Sequence, residues 1–187
     1  MDVMPGSLLI SSATLVDPNF ARCLVLVLDS DADGSLGVIL NQPSDTPVAE
    51  VLDAWEPVLS DPAVFFRGGP VEGNAALALG ELAGPDGTEP LPGGWRPLAG
   101  GLGLVDLDEP PEEYAGRLSG LRVYAGYTGW GAGQLEGEVD EGSWHVVPAV
   151  PADLFTADPE RLWYDVLRRQ PTPLSLLATL PADANLN

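Results

Sequence analysis

Few residues in this sequence could form a thiol, imidazole or amine catalytic site, because it contains one histidine, one cysteine and no lysine, whereas carboxylate pairs for acid–base chemistry are too numerous to single out. Catalysis by a serine or cysteine nucleophile needs a neighbouring base, and His145 is the only histidine that could serve as one. Cys23 opens an apolar run, where burial raises the pKa of a thiol and keeps it unreactive. No Gly-x-Ser-x-Gly motif of a serine hydrolase is present. The sequence leaves open whether the protein is an enzyme, and favours a protein that is not.

An acidic segment resembles half of a calcium loop. Asp29, Asp31, Asp33 and Gly34 have the spacing of the first half of an EF-hand, in which alternate carboxylates converge on the ion. The twelfth position, which requires a bidentate glutamate, is Leu40, and the flanking residues are typical of strands. We therefore predict an acidic hairpin turn and no metal site.

A glycine-rich segment, residues 126–139, follows the apolar run Leu121–Ala125. β-Branched and aromatic residues predict a strand in that run. Leu135 and Val139 recur at i and i+4, which predicts a helix. The order strand, glycine turn, helix is also that of a phosphate-binding turn, so this junction is either structural or a small-ligand site.

The junction does not match a dinucleotide-binding motif. Gln134 stands where the third glycine of the motif belongs, and Trp130 fills the space that a cofactor would approach. A lysine-bearing phosphate loop is impossible without lysine, so we predict no cofactor. We expect Trp130 to anchor the junction by packing, and Gly129 and Gly131 to adopt backbone conformations that exclude a side chain.

The composition limits the classes of partner. The chain has 187 residues, 28 acidic residues against 8 arginines, and a net charge of −20. Nucleic-acid affinity derives largely from cations that contact phosphates, so direct DNA or RNA binding is not expected. No apolar run approaches the roughly 20 residues that cross a bilayer, and the N-terminus lacks signal-peptide features. We expect a cytoplasmic protein without membrane contact.

Strand signals outnumber helix signals and do not alternate with them regularly, which favours an α+β fold over a doubly wound one. We predict one domain over residues 1–187, with a Pro/Gly-rich loop at 83–101. Helices are expected from Pro47 to Pro57, near Pro110 with Tyr114 and Leu118 on one face, and from Asp158. The predicted strands are Gly6–Ser11, Cys23–Leu28, Leu36–Leu40, Ala63–Arg67, Ala76–Gly80, Leu102–Leu107, Leu121–Ala125 and Ser143–Pro148.

Five blocks, in order along the chain, resemble the AlgH/YqgE family of poorly characterised bacterial proteins. They read GSLLI from Gly6, DPNFAR from Asp17, GVILNQP from Gly37, FRGGPV from Phe66 and GYTGWGAGQLE from Gly126. Residues 181–187 resemble the usual ending of the family. Cys23 and Gln42 depart from the serine and arginine expected there. The resemblance implies an α+β domain with a mixed, partly barrel-like sheet flanked by helices, and no catalytic residue.

One namesake of that family is described as a regulator of alginate synthesis genes. The acidic charge argues against direct promoter binding here. We therefore predict a non-catalytic module that binds a protein or small-molecule partner, with indirect transcriptional regulation or an enzyme of unrecognised type as alternatives. The candidate binding residues, taken from the family-like blocks, are Asn41, Arg67, Gly129, Trp130, Gly131 and Gln134.

Overall fold

The structure is a computed structural model that describes residues 3–15, 17–84 and 90–180. Within these residues ten strands form a mixed sheet that curls into a half-barrel, and short helices accompany it. This arrangement agrees with the predicted α+β class. The family-like ending at 181–187 lies outside the described residues, as do residues 85–89 of the predicted loop.

The strands are β1 (Ser7–Ser11), β2 (Leu24–Asp31), β3 (Gly34–Ile39), β4 (Pro43–Pro47), β5 (Val64–Arg67), β6 (Val71–Leu82), β7 (Trp95–Ala99), β8 (Leu102–Val105), β9 (Leu118–Gly131) and β10 (Trp144–Pro148). The α-helices are α1 (Gln134–Asp140), α2 (Pro151–Leu154), α3 (Leu162–Arg168) and α4 (Leu174–Leu177). Short 3-10 helices span Val48–Glu50, Asp53–Val58, Pro111–Glu113 and Pro159–Arg161.

Strand β9 holds the two halves of the sheet together. Along one edge it pairs antiparallel with β3 through residues 128–131 and parallel with β5 through Tyr124 and Ala125. Along the other edge it pairs antiparallel with β6. The sheet order is β10-β1-β2-β3-β9-β6-β8-β7, with β5 on β9 and β4 on β5. Among the described strands β4 pairs only with β5, so it forms an edge of the sheet.

The chain crosses β9 between β5 and β6, and glycines make this crossing possible. A Cβ atom on Gly68 would overlap the carbonyl oxygen of Gly126. A Cβ atom on Gly126 would lie 2.7 Å from the carbonyl oxygen of Gly69, and Gly126 has a φ of +74°. Backbone meets backbone here, and only glycine leaves the space.

The prediction that Gly129 and Gly131 exclude a side chain is wrong. Neither has a positive φ, and a Cβ atom on either would meet its nearest neighbour at 3.9 Å, an ordinary contact. The physical reason is that β9 runs through Gly131, so both residues have extended backbone. The turn before α1 is shorter than predicted and contains Gly133, which has a φ of +69°.

Two predicted helices and part of the predicted loop are also corrected. Residues 43–47 form strand β4, and the segment that follows contains only 3-10 turns, one of them with Pro57 inside it. Near Pro110 a single 3-10 turn forms, and Leu118 begins β9. Strand β7 occupies 95–99, so the last part of the predicted loop is a strand.

Other local predictions are confirmed. The acidic segment forms the β2–β3 hairpin turn, where Asp31 Oδ1 accepts the backbone N–H of Asp33 at 2.8 Å and of Gly34 at 3.2 Å. Cys23 is buried, and burial raises the pKa of its thiol. The inward face of α3 is apolar and buried. Apart from these predictions, none of the helices in the described ranges is long and apolar enough to cross a bilayer.

Candidate functional site

Trp130 anchors the junction between β9 and α1 by packing, as predicted. Its side chain is buried, and its ring meets that of Trp144 edge to face with the centroids 5.9 Å apart. Both indole N–H groups donate to Glu138 Oε2, at 3.0 Å from Trp130 and 2.8 Å from Trp144. One carboxylate of α1 thus fixes two tryptophans, one from β9 and one from β10.

Gln134 completes this polar cluster. Its Nε2 donates to Glu138 Oε1 at 2.9 Å, and its Oε1 accepts the backbone N–H of Gly131 at 3.1 Å. The amide therefore links the end of β9 to the first turn of α1. Gly129 and Gly131 are exposed beside it. These contacts account for Trp130 and Gln134 as supports of the local structure.

Asn41 and Arg67 lie elsewhere. Asn41 Oδ1 accepts the backbone N–H of Leu24 at 3.0 Å, and its Nδ2 donates to the carbonyl of Arg22 at 2.9 Å, which ties the end of β3 to the start of β2. Arg67 is exposed at the end of β5, and its backbone N–H donates to the carbonyl of Gln42 at 2.8 Å. None of the six predicted residues lines the groove described next.

A groove of about 850 Å³ lies between two parts of the sheet. One side comes from β4, β5 and the two residues that follow the first 3-10 turn, Val51 and Leu52, and the other from β7, β8 and the residues that follow β8. Its floor carries small side chains, because Ala76 and Ala125 pair across β6 and β9 and Ala78 follows on the same face of β6.

The walls of the groove are apolar. Leu52 and Phe65 form one wall, and Trp95, Val105 and Leu107 form the other. All five belong to or pack against the core cluster of Trp55, Tyr114 and Val123. The walls are therefore supported from beneath by packed side chains.

Two glycines position Trp95. A Cβ atom on Gly103 would overlap the indole ring, and one on Gly80 would lie 3.2 Å from it. The indole lies over the backbone of β6 and β8 and is 9% exposed. Because glycine has no side chain, both positions leave room for the indole ring to pack at the side of the groove.

Polar side chains surround the apolar floor. The polar and charged residues of the lining are Ser44, Thr46, Asn74, Arg96, Asp106 and Asp108. Asp106 Oδ1 accepts the backbone N–H of Asp108 at 3.0 Å. The lining of this groove contains neither histidine nor cysteine. Such a site can hold an apolar group and orient it by polar contacts, which is the usual design of a binding cleft.

A buried arginine outside the groove is structural. Arg122 donates to the carbonyls of Leu154 and Asp61, each at 2.6 Å, and of Thr156 at 3.0 Å. Its guanidinium lies over the ring of Phe66, 4.3 Å from the centroid. Burial lowers its pKa, but these contacts stabilise the charge inside the protein. The residue ties β9 to α2.

Comparison with known proteins identifies the family. Residues 8–175 match the AlgH-like family. The chain belongs to the AlgH-like family. A relative in Streptomyces avermitilis, described only as a UPF0301 protein, is 47% identical over 184 residues, which cover 98% of this chain and 95% of the relative. A UPF0301 protein of Thermobifida fusca is 49% identical over 193 residues, covering 98% and 96%.

Two solved structures have the same fold. A crystal structure from Corynebacterium diphtheriae superimposes with a TM-score of 0.90 at 33% identity, covering 96% of this chain and 94% of the other. The solution structure of the AlgH protein from Pseudomonas aeruginosa gives a TM-score of 0.65 at 28% identity, covering 96% and 95%. The family resemblance seen in the sequence is therefore confirmed.

Sequence reasoning missed the groove residues of this AlgH-like chain. The family-like blocks directed attention to Gly, Asn and Trp, whereas the floor is built from alanines. A usable signal existed in β6, where Ala76, Ala78 and Gly80 alternate with larger residues and so place small side chains on one face. Such a face leaves room beside it, but the sequence does not show which strand will lie opposite.

Proposed function

We propose that this AlgH-like protein is a non-catalytic binding module whose ligand occupies the groove over Ala76, Ala78 and Ala125. The groove itself is the observation that carries the proposal. A cleft of about 850 Å³ has the size of a ligand site, and its apolar walls and polar rim are those of a surface that recognises an organic group or a protein segment.

The residues that line the groove support binding rather than catalysis. The lining offers carboxylates, hydroxyls and one guanidinium, and it lacks both the cysteine nucleophile and the histidine base of nucleophilic catalysis. His145 lies on β10, which pairs with β1 in the other half of the sheet. The proposed ligand is a small molecule or a protein, in keeping with the sequence-based prediction.

Any regulatory role of this protein would be exerted through contact with a partner protein. The net charge of −20 repels a nucleic-acid backbone at long range. A regulator with this charge acts through a partner, so we propose no direct binding to DNA.

The test is a fluorescence titration with Nile red, an uncharged apolar dye. We expect saturable binding to the native chain, and at least about tenfold weaker binding to Ala76→Phe, because the new ring occupies the floor of the groove. Ala132→Phe is the matched control, since Ala132 is exposed in the turn before α1. Equal binding by Ala76→Phe and the native chain would contradict the proposal. Circular dichroism of each variant checks that it is folded.

A further inference from the structure

Strand β6 extends past its neighbour β8 and leaves a backbone edge open. The last pair between the two strands joins Ala78 to Val105, where β8 ends. Residues 71–77 of β6 continue along β9, and no strand among the described residues pairs with them on the other side. An unpaired strand edge is a ready template for another extended chain.

The open edge of β6 faces the groove. Every residue from Gly73 to Ala78 contributes to the groove lining. Successive side chains of a strand point to opposite faces, so consecutive residues can line one groove only where it runs along the strand edge and reaches the backbone. The groove thus offers main-chain N–H and C=O groups beside its apolar floor.

A bulge determines where pairing is possible. The register with β9 shifts between Val71 and Ala76, and Glu72 within this interval has a φ of +46°. A bulge bends the strand and interrupts its ladder. Regular pairing returns at Ala76 and Leu77, so an added strand meets the regular edge next to the end of β8.

The charge around this position is acidic. Asp106 and Asp108 directly follow β8, are exposed and belong to the groove lining, in which Arg96 is the only cation. The whole chain carries −20. A cationic segment is attracted by this negative field, whereas a second copy of the same chain, which also carries −20, is repelled by it.

We propose that the groove takes an extended, basic polypeptide segment of a partner protein, which adds as a strand to the open edge of β6. This inference rests on the proposed function and names the chemistry of its ligand. Main-chain hydrogen bonds to β6 supply affinity, and alternate apolar side chains of the segment fill the space over Ala76 and Ala125. The basic side chains between them meet Asp106 and Asp108.

The test is isothermal titration with a capped peptide of about eight residues that alternates lysine and valine, a length that exceeds the short regular edge of β6. We expect saturable binding that weakens as salt is raised, because screening reduces the attraction between exposed charges. A glutamate–valine peptide of the same length should not bind. The double variant Asp106→Asn/Asp108→Asn should bind the lysine–valine peptide several-fold more weakly, since two carboxylates are neutralised.

A peptide with alternate N-methylated backbone amides distinguishes strand addition from a charge effect. We place the methyl groups on the amides that would face β6 and also test the other alternate set. At least about tenfold weaker binding of one set is expected, because each lost hydrogen bond is worth a factor of roughly 2 to 10. Equal binding of both sets and the parent peptide would overturn strand addition.

Nile red separates the two proposals. If the dye saturates the native chain, is excluded by Ala76→Phe and the lysine–valine peptide fails to bind, strand addition is overturned and the binding module stands. If neither dye nor peptide binds, both proposals are overturned. Sedimentation of a dimer that Ala76→Phe dissociates would show that a second copy occupies the edge, and would also overturn the partner segment.

Discussion

Substitution of Gly126 by alanine should destabilise this protein far more than the same change at Gly129. At Gly126 the new Cβ would lie 2.7 Å from the carbonyl oxygen of Gly69 and 2.8 Å from that of Val71. The backbone must also hold alanine at a φ of +74°. The conformational penalty is about 1 kcal/mol, and forcing the crossing strands apart adds about 1–3 kcal/mol, for a total of roughly 2–4 kcal/mol.

At Gly129 neither cost applies. The Cβ would meet its nearest atom at 3.9 Å, and the backbone conformation is available to alanine. The free energy of unfolding should change by less than about 1 kcal/mol, and its sign favours stabilisation because alanine restricts the unfolded chain. Urea denaturation followed by tryptophan fluorescence measures both variants. Equal destabilisation of the two would refute the account of the strand crossing.

Three further predictions follow from the same structure. Trp130→Ala should lower the free energy of unfolding by about 3–5 kcal/mol in urea denaturation, because it removes a buried indole; a loss below about 1 kcal/mol would contradict the anchoring role. Burial lowers the pKa of His145, so the unfolded state binds the proton more readily. The free energy of unfolding should therefore be unaffected by His145 above the unfolded pKa of about 6.5, and should decrease as the pH falls below that value. An NMR titration that places the pKa of His145 in the folded protein above 6.5 would contradict this direction. In an anisotropy titration, duplex DNA should not bind at moderate ionic strength, since the chain carries −20; micromolar affinity with a steep salt dependence would instead favour direct regulation.

Features set by neighbouring residues could be predicted from the sequence. The β2–β3 hairpin follows from Asp31 and Gly34 at a tight turn, and helix α1 follows from the spacing of Leu135 and Val139. Burial of Cys23 follows from the apolar run that it begins. Each depends on a few adjacent side chains, so distant parts of the chain do not alter it.

Features set by strand pairing could not be predicted. Residues 43–47 have proline at both ends, and only their pairing with β5 makes them a strand. The glycines of β9 indicate a turn in the sequence, because glycine is rare in strands. Pairing with β3 nevertheless keeps Gly129 and Gly131 extended. The need for glycine at Gly126 arises from a crossing with Gly69, which lies far away in sequence.

The candidate site could not be predicted from the sequence either, because it also depends on strand pairing. Its floor depends on Ala76 lying opposite Ala125, a contact between strands that are distant in the chain. The open edge of β6 depends on the point where β8 ends relative to it. The family-like blocks that could be recognised contain residues that hold the fold together. Trp130 and Asn41 do so through their hydrogen bonds.

The most direct test of the central claim is an NMR map of where a small apolar ring binds. Backbone amide shifts of the ¹⁵N-labelled chain are recorded during titration with 2-naphthol, an uncharged probe. The account predicts saturable shifts at residues 73–78 and at Trp95, Val105 and Leu107 around the groove, and their loss in Ala76→Phe. Shifts confined instead to Gly129, Trp130, Gly131 and Gln134 would contradict it and place the binding site at the β9–α1 junction.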